Sequence, residues 1–226
     1  MKLRMKTYYN SKRAASYNRT WRAFSEKTLA ATCSVINLTR LRNFAEQHFR
    51  APRILDVACG TGLLLQQLAR LIPHAELYGV DESPDMLAQA RLLLANYPGI
   101  HLAQAALRGK NMAELPYEPH SFDLITCTNA FHYLDDPVAV VRGLALLLAP
   151  QGQIVIEDYT RRAFPFPWRA FWWFIRHVDP QHVRAYTLAE AQILCRAAGL
   201  HIIEAKEFSI NLLWQGWVIY AEITQA

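Results

Sequence analysis

The chain has 226 residues, 52% of them hydrophobic and 19% charged, with a formal net charge of +5, enough to bury a full core and too apolar for a disordered segment. Its four cysteines (Cys33, Cys59, Cys127, Cys195) form no CxxC pair, so no structural zinc, other metal site or disulfide framework is expected, and a reducing, cytoplasmic setting fits. Arg142 breaks the longest apolar run, Val138 to Ala149, which argues against a spanning helix, and the opening MKLRMKTYYNSKR lacks the apolar stretch of a secretory signal.

Charge is distributed unevenly. Residues 1–53 hold twelve Lys and Arg against Glu26 and Glu46, or +10, whereas the remaining 173 residues hold twelve against seventeen, or −5. Such a split predicts a basic arm that either faces solvent, packs on an acidic body or meets something anionic. The arm, residues 1–50, reads as helical and is rich in rings: Tyr8, Tyr9, Tyr17, Trp21 and Phe24.

From residue 51 short β-like runs alternate with longer helical ones, the pattern of a parallel sheet with crossover helices. Arg53–Val57 predicts a strand and Leu63–Leu71 a helix. Glu76–Val80 predicts a strand and Pro84–Leu94 a helix, with Ser83 as N-cap and Pro84 at the first helical position. Ile100–Ala105 and Phe122–Cys127 read as strands, Val138–Leu148 as a helix and Gln153–Asp158 as a fifth strand. Thr187–Ala198 reads as a helix ended by Gly199. Ile202–Phe208 and Trp217–Ile223 predict a closing strand pair. The expected fold is thus α/β and Rossmann-like, a single domain with a seven-stranded, mostly parallel sheet and flanking helices. The cofactor-binding core spans residues 51–158, an aromatic lid insertion 159–186, and the C-terminal helix and strand pair 187–226.

In such a sheet ligands bind at the carboxyl ends of the strands, and two motifs stand there. Ile54-Leu55-Asp56-Val57-Ala58-Cys59-Gly60-Thr61-Gly62 puts two glycines in a strand-to-helix turn, where backbone can approach a ligand closely. Nineteen residues beyond Gly62, Asp81 ends the second strand, a position from which a carboxylate can accept both hydroxyls of a ribose. Leu65 holds the place of the third glycine of a dinucleotide fingerprint, and Asp56 would repel a phosphate and attract a cation or ammonium group. A nucleoside ligand with a cationic part is implied.

ILDVACGTG resembles motif I of the class I S-adenosylmethionine-dependent methyltransferases, of the small-molecule type found in quinone biosynthesis. GVDESPDML, the run from Asn111 to Tyr117, SFDLI at 121–125 and LAPQGQ at 148–153 resemble that family's further landmarks, in the family's order. The resemblance implies S-adenosylmethionine as cofactor, S-adenosylhomocysteine as product and a small hydrophobic or aromatic methyl acceptor. It implies that Asp56 and the backbone of Ala58, Cys59, Gly60 and Gly62 hold the methionine end, and that Asp81 holds the ribose. Glu82 and Met86 would flank ribose and adenine, Asn111 and Met112 would meet the adenine, Thr128 would lie under the methionine portion, and Tyr17 would reach the cofactor or acceptor. Ala58 replaces a more usual glycine, which is tolerable at negative φ; Asn111 replaces an acid; Gln151 replaces a turn glycine.

His132 and Tyr133, just after the fourth strand, and Asp158, at the end of the fifth, are the candidates for catalysis; His132 is placed to accept a proton from a hydroxyl or enol. Trp168, Phe171, Trp172 and Tyr186 are expected to wall a hydrophobic acceptor pocket, with packing against the body, or contact of this insertion with a membrane surface, as the alternatives. A protein that binds the cofactor without transfer, and an RNA methyltransferase served by the basic arm, are competing functions. The latter lacks the Asn-Pro-Pro-Tyr-type tetrapeptide after strand four, where Thr128-Asn129-Ala130-Phe131 stands, so no stable nucleic-acid partner is expected. The expected assembly is a monomer or homodimer.

Overall fold

Alternation along the central strands decides the layering. In β1 (Arg53–Val57), β4 (Phe122–Thr128), β5 (Leu148–Arg161) and β7 (Trp214–Ile223), neighbouring residues enter opposite cores. Ile54, Leu124, Val155 and Val218 join one; Leu55, Ile125, Ile154, Ile156, Trp217 and Ile219 join the other. Both faces of the sheet are therefore covered, as the near-continuous apolar runs require. The computed structural model describes residues 9–48, 50–107, 115–161 and 183–224.

The sheet has seven strands in the order β3-β2-β1-β4-β5-β7-β6, with β2 at Glu76–Asp81, β3 at Ile100–Gln104 and β6 at Leu200–Ser209. The five strands β3, β2, β1, β4 and β5 pair in parallel, and β7 runs antiparallel between β5 and β6. This is the expected Rossmann-like architecture. Helices α1 (Ser11–Thr20), α2 (Arg22–Val35) and α3 (Leu38–His48) precede the sheet, and α4 (Leu63–Leu71) and α5 (Pro84–Leu93) follow β1 and β2. Helix α6 (Pro137–Leu147) lies between β4 and β5, and α7 (Leu188–Ala197) between β5 and β6. Leu29, Val35, Leu41, Leu64, Leu65, Leu68 and Leu87 bury one face; Val140, Val141, Leu144, Ala191 and Cys195 bury the other. Ser83, Asp136 and Thr187 cap the helices they precede, Thr187 in a full capping box with Glu190, and Gly199 takes the left-handed conformation that ends α7 (φ 94°).

The last three strands are longer than expected. The sequence places the fifth strand at Gln153–Asp158, but β5 spans Leu148–Arg161 because β7 pairs with it along Gln153–Arg161. The closing strands are likewise longer, since Ser209 pairs with Gln215 close to the turn. Gln151, in the turn where glycine is usual, adopts φ 64°.

The arm is bound to the sheet at its foot. Between α2 and α3, the Asn37 N–H donates to buried Gln153 Oε1 (2.9 Å) and Gln153 Nε2 donates back to the Asn37 carbonyl (3.2 Å). Arg40 pairs with Glu222 at 2.6 Å and also donates to the Gln151 carbonyl. Arg50 forks onto Asp123 at 2.8 and 2.9 Å, and the Arg53 N–H adds a third donor at 2.8 Å.

Gly79 in β2 allows the glycine loop to sit close: a Cβ there would lie 2.7 Å from Leu65, 2.8 Å from Leu102 and 3.0 Å from the Cys59 sulfur. Gly79→Ala is expected to destabilise the protein by about 1–3 kcal/mol through overpacking, measured by urea unfolding; unchanged stability would show that these three side chains yield freely.

Candidate functional site

Three loops meet at the carboxyl ends of β1, β2 and β4, and a carboxylate joins two of them. Asp81 Oδ2 accepts the Gly60 N–H and Oδ1 accepts the Ser83 N–H, each at 2.8 Å. Asp81 thereby ties the glycine loop to the start of α5, which Ser83 caps by accepting the Met86 N–H. Each carboxylate oxygen retains a further lone pair for a ligand hydroxyl. Burial pushes the Asp81 carboxyl up to about 6, against the lowering effect of the two amides.

Asp56, 1% exposed, sits at the end of β1 and accepts the Thr126 hydroxyl at 2.7 Å. Burial, opposed by that bond and reinforced by Asp81, pushes its carboxyl up to about 7. Two acids whose charge is suppressed by burial suit a ligand that brings positive charge. Because folding raises both values, the protonated forms favour the fold; that contribution is complete below the ordinary carboxylate range and is lost as pH rises through about 6 and about 7.

The loop between these acids is tightly turned. Gly62 N–H donates to the Cys59 carbonyl and Cys59 N–H to the Val80 carbonyl. Gly60 (φ 54°) is close to buried Met86, whose Cε would lie 3.3 Å from an added Cβ; at Gly62 (φ 81°) a Cβ would meet Leu94 at 2.8 Å. Ala58, expected at negative φ, instead has φ 54°: the turn demands the left-handed region whichever residue occupies it, at a cost of about 1 kcal/mol for a side chain. Burial holds the Cys59 thiol well above its ordinary range, which makes it a packing group. Glu82 adjoins Asp81, its carbonyl accepting from Gln104 Nε2 at 3.0 Å, and Thr128 ends β4 opposite Glu157.

Beyond β4 the chain makes a 3-10 turn, Phe131–Tyr133. His132, 3% exposed, places Nδ1 at 2.9 Å from each oxygen of Asp158, and its own backbone N–H donates to Asp158 Oδ2 at 2.6 Å. The rings of Tyr133 and Tyr159 lie against the imidazole, at centroid distances of 3.9 and 4.6 Å. Tyr186 packs edge-on against Phe131, and its carbonyl accepts from Trp217 Nε1 at 2.8 Å. Asn111, Met112, Trp168, Phe171 and Trp172 lie outside the described residues.

The arm closes over these loops. Thr61 donates to Asn18 Oδ1 (2.6 Å), Ser83 to the Tyr9 carbonyl (3.0 Å), and Asn129 Nδ2 to Thr28 Oγ1 (2.9 Å). The Tyr9 and Tyr133 hydroxyls are 3.0 Å apart, Tyr17 stacks edge-on with Tyr9, and Phe24 with Tyr159. Sequence reasoning missed Asn18, Thr28, Asn129 and Glu157. For Glu157 there was a signal: QIVIED places two consecutive acids in an otherwise apolar strand.

Residues 55–154 match the family model described as a methyltransferase domain. The ubiquinone biosynthesis O-methyltransferase of Neisseria meningitidis serogroup C is 30% identical over 191 residues, covering 81% of this chain and 79% of that protein. Among solved structures, a SAM-dependent methyltransferase from Aquifex aeolicus superposes with a TM-score of 0.62 at 15% identity, covering 95% of this chain and 99% of the other. Phosphoethanolamine N-methyltransferase 2 of Haemonchus contortus, in complex with S-adenosyl-L-methionine, superposes with a TM-score of 0.69 at 15% identity, covering 97% of this chain and 59% of that one. The glycine loop, its two acids and the order of the strands thus belong to an S-adenosylmethionine-dependent methyltransferase, the family of which this chain is a member.

Proposed function

We propose that this methyltransferase acts on a hydroxyl of a small hydrophobic or aromatic acceptor, with His132 as general base and Asp158 as the residue that positions it. One observation carries the reading: His132 Nδ1 lies 2.9 Å from both oxygens of Asp158, in a buried pair. An ionised carboxylate only accepts, so Nδ1 carries the proton and Nε2 is the basic nitrogen. The name of the Neisseria relative, an O-methyltransferase, supports oxygen as the attacked atom.

The donor set fits the cofactor. Asp56 and Asp81 are acids of raised pKa, and the cradle at Gly60 is one that a Cβ would crowd. In this reading Asp56 and the backbone of Ala58, Cys59, Gly60 and Gly62 hold the methionine end, Asp81 the ribose, and Glu82 and Met86 the ribose and adenine. Asn111 and Met112 complete the adenine side, Thr128 underlies the methionine portion, Tyr17 closes the cleft from the arm side, and Tyr133, against the His132 ring, is a further catalytic candidate. S-adenosylmethionine supplies, when bound, a methyl group on a cationic sulfur. The chain's task is to hold the acceptor in line, exclude water and take up its proton at His132 Nε2. The aromatic segment that includes Trp168, Phe171, Trp172 and Tyr186 is proposed as the wall of the acceptor pocket.

Three outcomes are expected. His132→Ala lowers kcat on phenolic acceptors by about 10²–10⁴-fold with little change in cofactor affinity by calorimetry; equal turnover would remove His132 from catalysis. Asp81→Ala abolishes saturable S-adenosylmethionine binding while circular dichroism stays native, and an unaltered isotherm would refute the ribose assignment. Because a cationic ligand favours the ionised acids, cofactor affinity weakens as pH falls through about 7 and then about 6, as titrations across that range would reveal; affinity flat with pH would mean that neither Asp56 nor Asp81 meets the cofactor's charge.

A further inference from the structure

Two buried oxygen atoms beside the site have no hydrogen-bond partner among the described residues: Glu157 Oε1 and Asn129 Oδ1. They belong to side chains already in contact. The Asn129 N–H donates to Glu157 Oε2 at 3.2 Å and to the Glu157 carbonyl at 3.1 Å, while Asn129 Nδ2 is held by Thr28 of α2. Glu157 is completely buried, and Asn129 adopts φ 52°. A carboxyl that served only the fold would have its oxygens satisfied, because an orphaned buried polar group is costly. The pair stands where β4 ends and its pairing with β5 stops, Glu157 one residue before Asp158 and Asn129 three residues before His132 in the chain.

We propose that Glu157 and Asn129 seat an amino group of the methyl acceptor. Both orphan atoms are acceptors when the carboxyl is ionised, and a hydroxyl brings only one hydrogen, whereas a protonated amine brings at least two on one atom. Burial and the neighbouring Asp158 push the Glu157 carboxyl well up, so before binding it keeps its proton; on binding, that proton passes to the amine, leaving an ammonium between carboxylate and amide carbonyl. Thr28 fixes the amide so that its oxygen, not its nitrogen, is the atom left over. Because α2 supplies that contact, the arm also forms the roof of this seat. The identification of the ligand as the acceptor rests on the methyl-transfer reading above, while its chemistry rests on the two orphan atoms.

The test uses the full chain saturated with S-adenosylhomocysteine and two probes of one skeleton, tyramine and 4-ethylphenol, followed by calorimetry. Tyramine is expected to bind at least about tenfold more tightly than 4-ethylphenol, the worth of one charge-assisted contact. Glu157→Gln, whose amide can donate to Asn129, is expected to bring the ratio close to one without lowering the ligand-free melting temperature, and Glu157→Leu to do the same. Equal binding of the two probes by the wild type, absence of saturable tyramine binding, or a ratio that survives Glu157→Gln overturns the proposal. So does a fall in melting temperature in both variants, which would make Glu157 a structural residue. His132→Ala should keep the preference for tyramine; a wild type that binds the probes and methylates no hydroxyl compound would instead sink the transfer reading and leave the seat standing.

Discussion

Burying acids at the end of a parallel sheet is the constraint on which this molecule is built. Asp56 and Asp81 lie at the carboxyl ends of the neighbouring strands β1 and β2, Glu157 and Asp158 lie in β5 where its pairing with β4 stops, and each must be compensated. Two are compensated by the fold itself: Asp81 by the amides of Gly60 and Ser83, Asp158 by His132. Asp56 has a hydroxyl for partner, and the Glu157 carboxyl the backbone N–H of Asn129. The less a carboxyl is compensated from within, the more its charge depends on something from outside. A sulfonium cofactor with an ammonium group is a ligand of that kind, and it needs no basic residue in its cradle.

The same constraint explains the arm. An acidic cleft left open to water would keep its acids ionised and hydrated; covering it lowers the local dielectric and strengthens each contact inside. The arm does this with neutral groups at its inner surface, the hydroxyls of Tyr9 and Thr28 and the amide of Asn18. Its charge lies elsewhere: Lys12, Arg13, Arg19 and Arg22 are exposed, and Arg40 and Arg50 pair with acids of the body. Among the described residues, the arm's positive charge is thus mostly a solvent face plus two anchors.

Much of this could be read from the chain. Ile54–Gly62 and Asp81 announced the strand-end site, and Ser83, Pro84, Thr187 and Gly199 marked helix ends, because caps and turns are local chemistry. What escaped was set by distant partners. Ala58 takes a left-handed conformation because the Cys59 amide is drawn to Val80 and Gly60 to Asp81 across the loop, and no local pattern encodes that. Glu157 is buried by distant partners, paired with Val218 of β7 and in contact with Asn129, which Thr28 of α2 holds. The apolar landmarks of the arm were visible, yet the polar stitches from Asn18, Thr28 and Tyr9 join residues 43, 101 and 74 positions apart.

The length of β5 has a further consequence. Its pairing with β4 stops at Glu157, but with β7 it continues to Arg161 and Trp214. Four residues of extended chain carry this ribbon about 13 Å past the end of β4. One side of the cleft is therefore a hydrogen-bonded wall, stiffer than any loop, with Tyr159 and Trp214 in edge contact on it and Phe24 of the arm leaning against Tyr159. With this wall on one side, the width of the entrance is a matter of where α1 and α2 lie, held there by Asn18, Thr28 and Tyr9.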